Sequence, residues 1–484
     1  MIGRLLRRRP ALTDAALQAS MAAAIEAARL RHALDDGEAR WRPGEPLRLL
    51  LVGYLGTRNT GADVRVSEMI RQFRVIFGED QLELTALTSD PRLSAGYFPG
   101  VRQVRLPDLF PPFLFHETAR HDGVVACEGS MFKSKFASAL TTLMAGALGL
   151  AVAQNQVAVG YGAEAGDMDL LLARFVAWAC EGAFVLCRNE PSREVLAELG
   201  IESAPGTDTA WTFEPAPPER ARALLRGLGR DESLPLLVLC PINPFWWPVR
   251  PAPLKTLLGR LQGAQAETHY RSLYHHAYSE ADRARFARYL DALAEAALAF
   301  VRERPAQVLL VGMERLDREA TERLAARLEP ELGPVPRLVS DEVRMHDLVA
   351  VLREARYLVT SRYHAMVCSM PAGVPALGVT MDERIRNLMD DRGEPEGCYE
   401  VEAPELGARL LEGLRRLDRE GEARAAAARS CLPACLEAMG RMGQAFEEHV
   451  LRRHPEFPRV DRPADPWAYL PPLSPGLEAV LATL

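Results

Sequence analysis

The stretch ARYLVTSRYHAMVCSM at residues 355–370 decides the fold. Its first five residues are typical of a short buried strand, and Met366 to Met370 are typical of a helix start. Ser361, Arg362 and His364 lie between them, at the carboxyl end of the strand. Open parallel α/β sheets bind ligands at that end. Because arginine holds phosphate or carboxylate and histidine moves protons near neutral pH, the stretch predicts a site for an anionic substrate.

The residues around this stretch extend the same pattern. GVPALGV at residues 373–379 supplies a loop and a second apolar strand, which completes one β-α-β step. Residues 347–355 supply a helix in front of the first strand. The strands predicted in this part of the chain are Leu236–Cys240, Gln307–Val311, Arg337–Val339, Tyr357–Thr360 and Ala376–Val379.

An earlier unit begins with LRLLLVGYLGTRNTGAD at residues 47–63, which reads as a strand, a glycine-containing turn and a helix start. Such a turn presents backbone N–H groups to an anion or a sugar. It matches neither the G-x-G-x-x-G pattern nor a Walker A loop. The candidate binding residues of the turn are Gly53, Thr57, Asn59, Gly61 and Asp63. Asp63 is equally typical of an acidic residue that stabilises the first turn of a helix.

Further strands alternate with helices after this turn. They are predicted at Leu82–Leu87, Gly123–Cys127, Ala151–Tyr161 and Ala183–Cys187. Polar residues that follow two of them, Glu128 with Ser130 and Arg188, become candidate substrate-binding residues. Glu164 lies in a glycine-containing loop, where a solvated side chain is expected.

This alternation predicts an α/β protein with two doubly wound, Rossmann-like domains that face a cleft, as in B-type glycosyltransferases. The expected limits are a helical N-terminal extension at residues 1–44, a first domain at 45–215 and a second at 216–400. An insertion is expected around residues 242–300, and helices with a proline-rich tail at 401–484.

Composition narrows the class of protein. A net charge of −7 argues against nucleic-acid binding. The eight cysteines form no Cys-x-x-Cys pair, so we expect reduced thiols, no metal site and a cytoplasmic protein. Residues 136–153 carry no charge but contain serine and threonine, which favours a buried helix over a membrane span. The basic residues Arg4 and Arg7 to Arg9 leave open a peripheral contact with the inner face of a membrane.

Three motifs together resemble the polysaccharide pyruvyl transferase family. The turn Gly53-Tyr54-x-Gly56-x-x-Asn59-x-Gly61 is the first, and Cys187-Arg188-Asn189-Glu190-x-Ser192 is the second. The third and most specific runs from Thr360 to Ala365 and continues through Gly373-Val374-Pro375 and Asp382-Glu383-Arg384-Ile385. Together these motifs extend over residues 47–392.

The resemblance implies transfer of a pyruvyl group from phosphoenolpyruvate to hydroxyls of a cell-envelope or exopolysaccharide glycan, forming a ketal. Arg362 would hold the donor, with Arg188 as a weaker second cation, and His364 would act as general acid. Asn59, Thr57 and Asp63 would orient the acceptor, which is a glycan or a lipid-linked sugar. The donor is a substrate, and no cofactor is expected.

Departures from the family pattern keep other functions open. Ala62 and Val64 stand where the family has other residues after the asparagine turn. A glycosyltransferase with a nucleotide-sugar donor and a non-catalytic binding or scaffold module are the alternatives. Aromatic and histidine residues of the insertion, among them Trp246, Trp247 and His269 to Arg271, form either a sugar platform or ordinary core. A homo-oligomer also remains open.

Overall fold

The computed structural model describes residues 12–35, 41–252, 255–256, 273–276 and 278–484. The predicted features at Arg4 to Arg9 and at His269 to Arg271 lie outside these residues. The strands are β1 (Leu47–Leu55), β2 (Leu82–Thr88), β3 (Arg102–Arg105), β4 (Gly123–Ala126), β5 (Val157–Ala163), β6 (Phe184–Cys187), β7 (Glu202–Pro205), β8 (Leu236–Cys240), β9 (Arg250–Pro251), β10 (Tyr274–His275), β11 (Gln307–Gly312), β12 (Arg337–Val339), β13 (Tyr357–Thr360), β14 (Ala376–Thr380) and β15 (Cys398–Glu400).

The helices are α1 (Leu12–Leu34), α2 (Thr60–Phe77), α3 (Pro111–Glu117), α4 (Ser138–Ala153), α5 (Leu170–Ala179), α6 (Glu190–Glu198), α7 (Pro218–Gly227), α8 (Glu280–Glu303), α9 (Arg318–Leu332), α10 (Met345–Arg353), α11 (Tyr363–Ser369), α12 (Glu383–Asp391), α13 (Leu406–Ser430), α14 (Leu432–Arg453) and α15 (Pro475–Leu481). None of these described helices combines the length and the apolar character needed to cross a bilayer.

Two parallel sheets form the framework. The first has seven strands in the order β3-β2-β1-β4-β5-β6-β7, and the second has six in the order β12-β11-β8-β13-β14-β15. In each sheet the strand order reverses beside the first strand, between β1 and β4 and between β8 and β13. A crevice opens at the carboxyl ends of the strands where the order reverses. The predicted α/β class with two doubly wound sheets is confirmed.

The strand sequences explain why both sheets are covered by helices. Most residues of β1 and all residues of β5, β8 and β14 are buried, as expected for parallel strands with helices on both faces. On one side of the first sheet, α1, α4 and α5 pack against each other. We call the first sheet with its helices the first half, and the second sheet with its helices the second half.

The two long C-terminal helices pack against different halves of the molecule. Helix α13 packs against α8 in the second half, whereas α14, one residue later, packs against α2 and β5 in the first half. Helix α8 occupies the last third of the segment predicted as an insertion. It buries Phe286, Leu290 and Phe300 in the core of the second half, where it forms part of the connection between β8 and β11.

Candidate functional site

A pocket lies between the carboxyl ends of the two sheets. Its volume, including open solvent at the mouth, is about 890 Å³. The residues that line it come from both halves and from the segment around β9 and β10. They are Gly53, Tyr54, Asn59, Ser89, Leu106, Phe110, Glu128, Ser130, Phe136, Ala137, Ala139, Leu140, Leu143, Trp247, Val249, Tyr274, Glu314, Arg362, Met381 and Arg384.

Arg362 lines this pocket and is fixed by two carboxylates. Its Nε donates to Oδ2 of Asp317 at 2.9 Å, and its Nη2 pairs with Asp317 and, at 2.8 Å, with Oε2 of Glu314. Burial lowers the pKa of Arg362, but the two carboxylates outweigh it and raise the pKa, so the side chain stays charged. The side chain is 19% exposed, and Nη1 has no hydrogen-bond partner among the described residues. One edge of the guanidinium is therefore available to a ligand.

The turn after β1 also contacts the carboxylate of Glu314. Asn59 caps α2 by accepting a hydrogen bond from the backbone N–H of Ala62, and its Nδ2 donates to Oε2 of Glu314 at 3.1 Å. Tyr54 donates its hydroxyl to Oε1 of Glu314 at 3.0 Å. Because Glu314 follows β11 in the second half, these bonds join the two halves at the edge of the pocket.

His364 lies at the contact between the halves but is not among the residues that line the pocket. Its Nε2 is 3.2 Å from Oδ2 of Asp208, and its ring packs on Gly61, where an added Cβ would lie 2.2 Å from Nδ1. Burial lowers the pKa of His364 and outweighs the raising effect of Asp208. The imidazole is therefore mostly neutral at pH 7, with Nε2 placed to donate to the Asp208 carboxylate.

Arg188 belongs to a buried ionic network beneath the pocket. It pairs with Oδ2 of Asp208 at 3.0 Å and with Oε2 of Glu164 at 2.6 Å, and it stacks on the ring of Tyr363 at 4.4 Å. Lys133 also pairs with Glu164, at 2.9 Å. Although burial raises the pKa of Glu164, the charges of Arg188 and Lys133 lower it to about 2. The expectation of a solvated Glu164 is wrong, because two cations compensate for the burial of its carboxylate.

Several predicted residues lie close to the pocket without facing it. Ser361 bonds to the hydroxyl of Tyr289 at 2.8 Å. Thr57 is fully buried. Asp63 is 1% exposed in the first turn of α2, and burial raises its pKa to about 8. By contrast, Glu128 and Ser130 line the pocket, and Gly53 lies there so close to Cys127 that a Cβ would meet its Sγ at 2.9 Å.

Sequence reasoning missed Glu314, Asp317 and Asp208 as members of the site. Glu314 and Asp317 follow β11 directly, so the strand-end rule that selected Arg362 would have found them. Asp208 follows β7, an edge strand of four residues with no buried position, and β7 was not predicted.

A second guanidinium faces the pocket from α12. Arg384 donates from Nε to Oδ2 of Asp382 at 2.9 Å, and its guanidinium lies 4.6 Å from the ring centre of Phe136. Its Nη1 and Nη2 have no hydrogen-bond partner among the described residues. Arg362 and Arg384 thus bring two cationic edges to one pocket.

The fold resembles solved structures of UDP-N-acetylglucosamine 2-epimerases and of a glycosyltransferase. A candidate UDP-N-acetylglucosamine 2-epimerase from Listeria monocytogenes aligns with a TM-score of 0.53 and 11% identity over 87% of this chain and 99% of that chain. A glycosyltransferase from Rickettsia africae ESF-5 gives a TM-score of 0.53 and 10% identity over 85% and 99%. UDP-GlcNAc 2-epimerase from Neisseria meningitidis gives 0.50 and 11% over 84% and 99%. At such low identity the likeness shows the fold alone.

Sequence comparison gives the family. No curated protein matches the chain. The family profile described as polysaccharide pyruvyl transferase matches residues 122–383, more than half of the chain. That range contains β4 to β14, including Glu128, Arg188, Glu314 and Arg362. The chain therefore belongs to the polysaccharide pyruvyl transferase family.

Proposed function

We propose that the protein transfers a pyruvyl group from phosphoenolpyruvate to two hydroxyls of a sugar in a cell-envelope or exopolysaccharide glycan. The observation that carries this proposal is the pair of guanidinium edges, from Arg362 and Arg384, that face one pocket. Phosphoenolpyruvate is a small molecule in which one carbon carries both the phosphate ester and the carboxylate. Two arginines with free N–H groups suit these two anions, since guanidinium binds both in a planar, charge-assisted geometry.

The reaction needs proton transfer and charge stabilisation. A proton adds to the methylene carbon of the donor, and one acceptor hydroxyl forms a bond to the central carbon. The bond from that carbon to the phosphate oxygen then breaks, and a second hydroxyl takes the place of phosphate. The two hydroxyls lose one proton each. One of these protons balances the proton added to the methylene carbon, and the other leaves with the phosphate. Cations at the phosphate lower the barrier to its departure.

His364 remains the proposed proton carrier, with a changed role. Because burial lowers its pKa, its neutral form suits acceptance of a proton from an acceptor hydroxyl better than donation. Its ring lies against Gly61, so it reaches a ligand only after the ring turns or the halves separate. Asp208 would hold the ring in one tautomer. Glu128, Ser130 and Asn59 line the pocket and are proposed to bind the acceptor.

The test is phosphate release from phosphoenolpyruvate in the presence of a panel of glycans, with UDP-sugars in parallel. We expect phosphoenolpyruvate to raise the melting temperature of the wild type and to have little effect on Arg384→Met. The matched control is Arg386→Met, because Arg386 lies on the same helix but pairs with Glu400 outside the pocket. Consumption of a UDP-sugar without use of phosphoenolpyruvate would establish the glycosyltransferase alternative. Absence of turnover with either donor would favour a binding module.

A further inference from the structure

The step that protonates the methylene carbon of the donor requires an acid near that carbon. His364 is mostly neutral, which suits it to accept a proton from an acceptor hydroxyl and not to supply one. Asp63 holds a proton at neutral pH, because burial raises its pKa to about 8, but it is not among the residues that line the pocket. The acid is therefore sought among the carboxyl groups that do line it.

Glu314 lines the pocket beside the cation that is proposed to hold the donor. Its Oε2 lies 2.8 Å from Nη2 of Arg362, so a ligand on the open edge of that guanidinium lies next to the carboxyl group. Glu128 also lines the pocket, and its role in the proposed function is to bind the acceptor. Position alone therefore favours Glu314 as the group that reaches the donor.

The carboxyl groups around Arg362 exceed its charge. Glu314 and Asp317 both pair with this one guanidinium, and their side chains are 2% and 1% exposed. Burial outweighs the attraction of Arg362 and raises the pKa of both carboxyl groups, and the charge of Asp317 raises the pKa of Glu314 further. A buried group with one more negative than positive charge is unfavourable, so it favours the uptake of one proton.

Hydrogen bonds decide which of the two carboxyl groups takes the proton. Asp317 accepts from the backbone N–H of Glu314 at 3.0 Å and from Nε of Arg362 at 2.9 Å. These donors cannot become acceptors, so they favour the ionised form of Asp317. Oε1 of Glu314 instead bonds to the hydroxyl of Tyr54 at 3.0 Å, and a hydroxyl can accept as well as donate. A proton on Oε1 of Glu314 therefore keeps its partner.

Titratable and charged groups reach Glu314 from three other elements. Tyr54 belongs to β1, Asp63 lies in the first turn of α2, and Arg362 follows β13, while Asp317 lies on the same turn as Glu314. Of these four groups only Arg362 is positively charged. An anionic donor that binds to this guanidinium leaves less of its charge for Glu314, which favours proton uptake by the carboxylate. The protonated carboxyl group in turn holds Arg362 less tightly.

We propose that Glu314 takes up a proton when the anionic donor binds and then delivers it to the methylene carbon. This inference rests on the proposed function and names the acid that the reaction requires. The O–H bond of Glu314 breaks, and a C–H bond forms from the electrons of the carbon–carbon double bond. The first acceptor hydroxyl bonds to the central carbon and gives its proton to His364. The C–O bond to the phosphate breaks with its electron pair on oxygen, and His364 passes its proton to that phosphate. The second hydroxyl then bonds to the central carbon, and its proton restores the acid form of Glu314.

The first experiment measures proton uptake without turnover. Phosphoenolpyruvate is titrated calorimetrically into the full chain without an acceptor, in HEPES and in Tris, whose ionisation enthalpies differ. At about pH 8 the donor itself is fully ionised, so we expect the wild type to take up as much as about one proton per donor bound. Glu314→Gln, which has a neutral side chain of the same size, should bind the donor at least as tightly with little uptake. Glu194→Gln, a change at an exposed glutamate of α6, is the matched control.

The outcomes of this titration separate the inference from the proposed function. Uptake by the wild type that Glu314→Gln abolishes, with donor binding retained, supports the inference. Donor binding without uptake by the wild type, or equal uptake by the wild type and Glu314→Gln, overturns it and leaves the pyruvyl transfer standing. If phosphoenolpyruvate does not bind at all, the donor is rejected and the inference fails with it.

The second experiment measures phosphate release with an acceptor that the wild type uses. Glu314→Gln should lower kcat at least about 100-fold while the KM for phosphoenolpyruvate changes less than about threefold, because the amide has no acidic proton. Glu314→Asp should recover at least about tenfold of that loss. A kcat for Glu314→Gln within about threefold of the wild type overturns the role of Glu314 as the acid.

Asp317→Asn tests the charge balance without a change in the residues that line the pocket. The charge of Asp317 raises the pKa of Glu314, so its removal leaves Glu314 as the one carboxyl partner of this pair for Arg362 and lowers that pKa. We expect the pH above which kcat falls to move downward in this variant. A pH profile of kcat that Asp317→Asn leaves unchanged overturns the inference.

Discussion

Two arginines of the site, Arg188 and Arg362, are each held by a pair of carboxylates. The pairing fixes the position of each guanidinium and keeps it charged although it is removed from water. Removal of one partner of a buried pair usually costs about 3–5 kcal/mol, because the other charge is left uncompensated. Alanine at these positions would therefore test folding more than binding.

Substitution of Arg362 by lysine is the informative change. Arg362→Lys keeps the positive charge between Glu314 and Asp317 but loses the planar fork that serves a carboxylate and a ligand at once. We expect a loss of about 1–3 kcal/mol in unfolding free energy and a KM for phosphoenolpyruvate raised at least about tenfold. Urea unfolding and phosphate-release kinetics measure the two effects. An unchanged KM would remove Arg362 from the donor site.

Gly61 is required by the close approach of His364. A Cβ at Gly61 would lie 2.2 Å from Nδ1 and 2.8 Å from Cβ of the histidine, so Gly61→Ala must displace the ring or separate the two halves. We expect a loss of about 1–3 kcal/mol in stability together with reduced turnover. Gly227→Ala is the matched control, since a Cβ there has no atom within 4 Å. If Gly61→Ala and Gly227→Ala both behave as wild type in thermal unfolding and turnover, the close contact between Gly61 and His364 is needed for neither stability nor activity.

At the scale of the element, the first turn of α2 contains a buried carboxyl group, that of Asp63, whose pKa is shifted. Burial raises the pKa of Asp63 to about 8 from an ordinary value of 3.8. Between these values the folded state binds the proton more tightly than the unfolded chain, so stability falls as pH rises from about 4 to about 8. Asp63→Asn should therefore stabilise the protein increasingly over this range, by up to a few kcal/mol at pH 8.

Urea unfolding at several pH values checks this prediction. Glu219→Gln, a change at an exposed acidic residue in the first turn of α7, is the matched control. A stability difference between Asp63→Asn and wild type that stays constant from pH 5 to pH 8 would contradict a buried carboxyl that titrates in this range.

The sequence predicted elements best where periodicity and length are unambiguous. Leu236–Cys240 and Arg337–Val339 match the structure, and β1 and α2 were placed within a few residues. The strand expected from Ala151 begins only at Val157, because the last turn of α4 is as apolar as the strand that follows it. The short strands β3, β7 and β15 have weak or no alternation, and tertiary pairing determines them.

Only part of the candidate site was predictable from the sequence. Strand-end residues can be read from sequence, which selected Arg362, Glu128 and the turn after β1. Contacts between halves cannot be read in this way, because Asp208 and His364 are 156 positions apart in the chain. The roles of the predicted site residues and the domain limits stay predictions.

At the scale of the whole molecule, one ion pair links the halves beside the pocket. Lys133 of the first half lies 2.6 Å from Oε1 of Glu383, the first residue of α12 in the second half. Next to it, Arg384 packs on Phe136. We expect a double-mutant cycle of Lys133→Met and Glu383→Gln to show a coupling of about 0.5–2 kcal/mol in unfolding free energy. Strictly additive effects would show that the pair does not hold the halves together.

The return of α14 to the first half has a mechanical consequence. The polypeptide passes from one half to the other near residues 213–217 and comes back at Cys431, between α13 and α14. Two bodies joined by two chain crossings have less freedom of relative motion than two bodies joined by one. We therefore expect any opening that admits a substrate to be a rotation about an axis near both crossings, and a cut at either crossing to relax that restriction while the other crossing still tethers the halves.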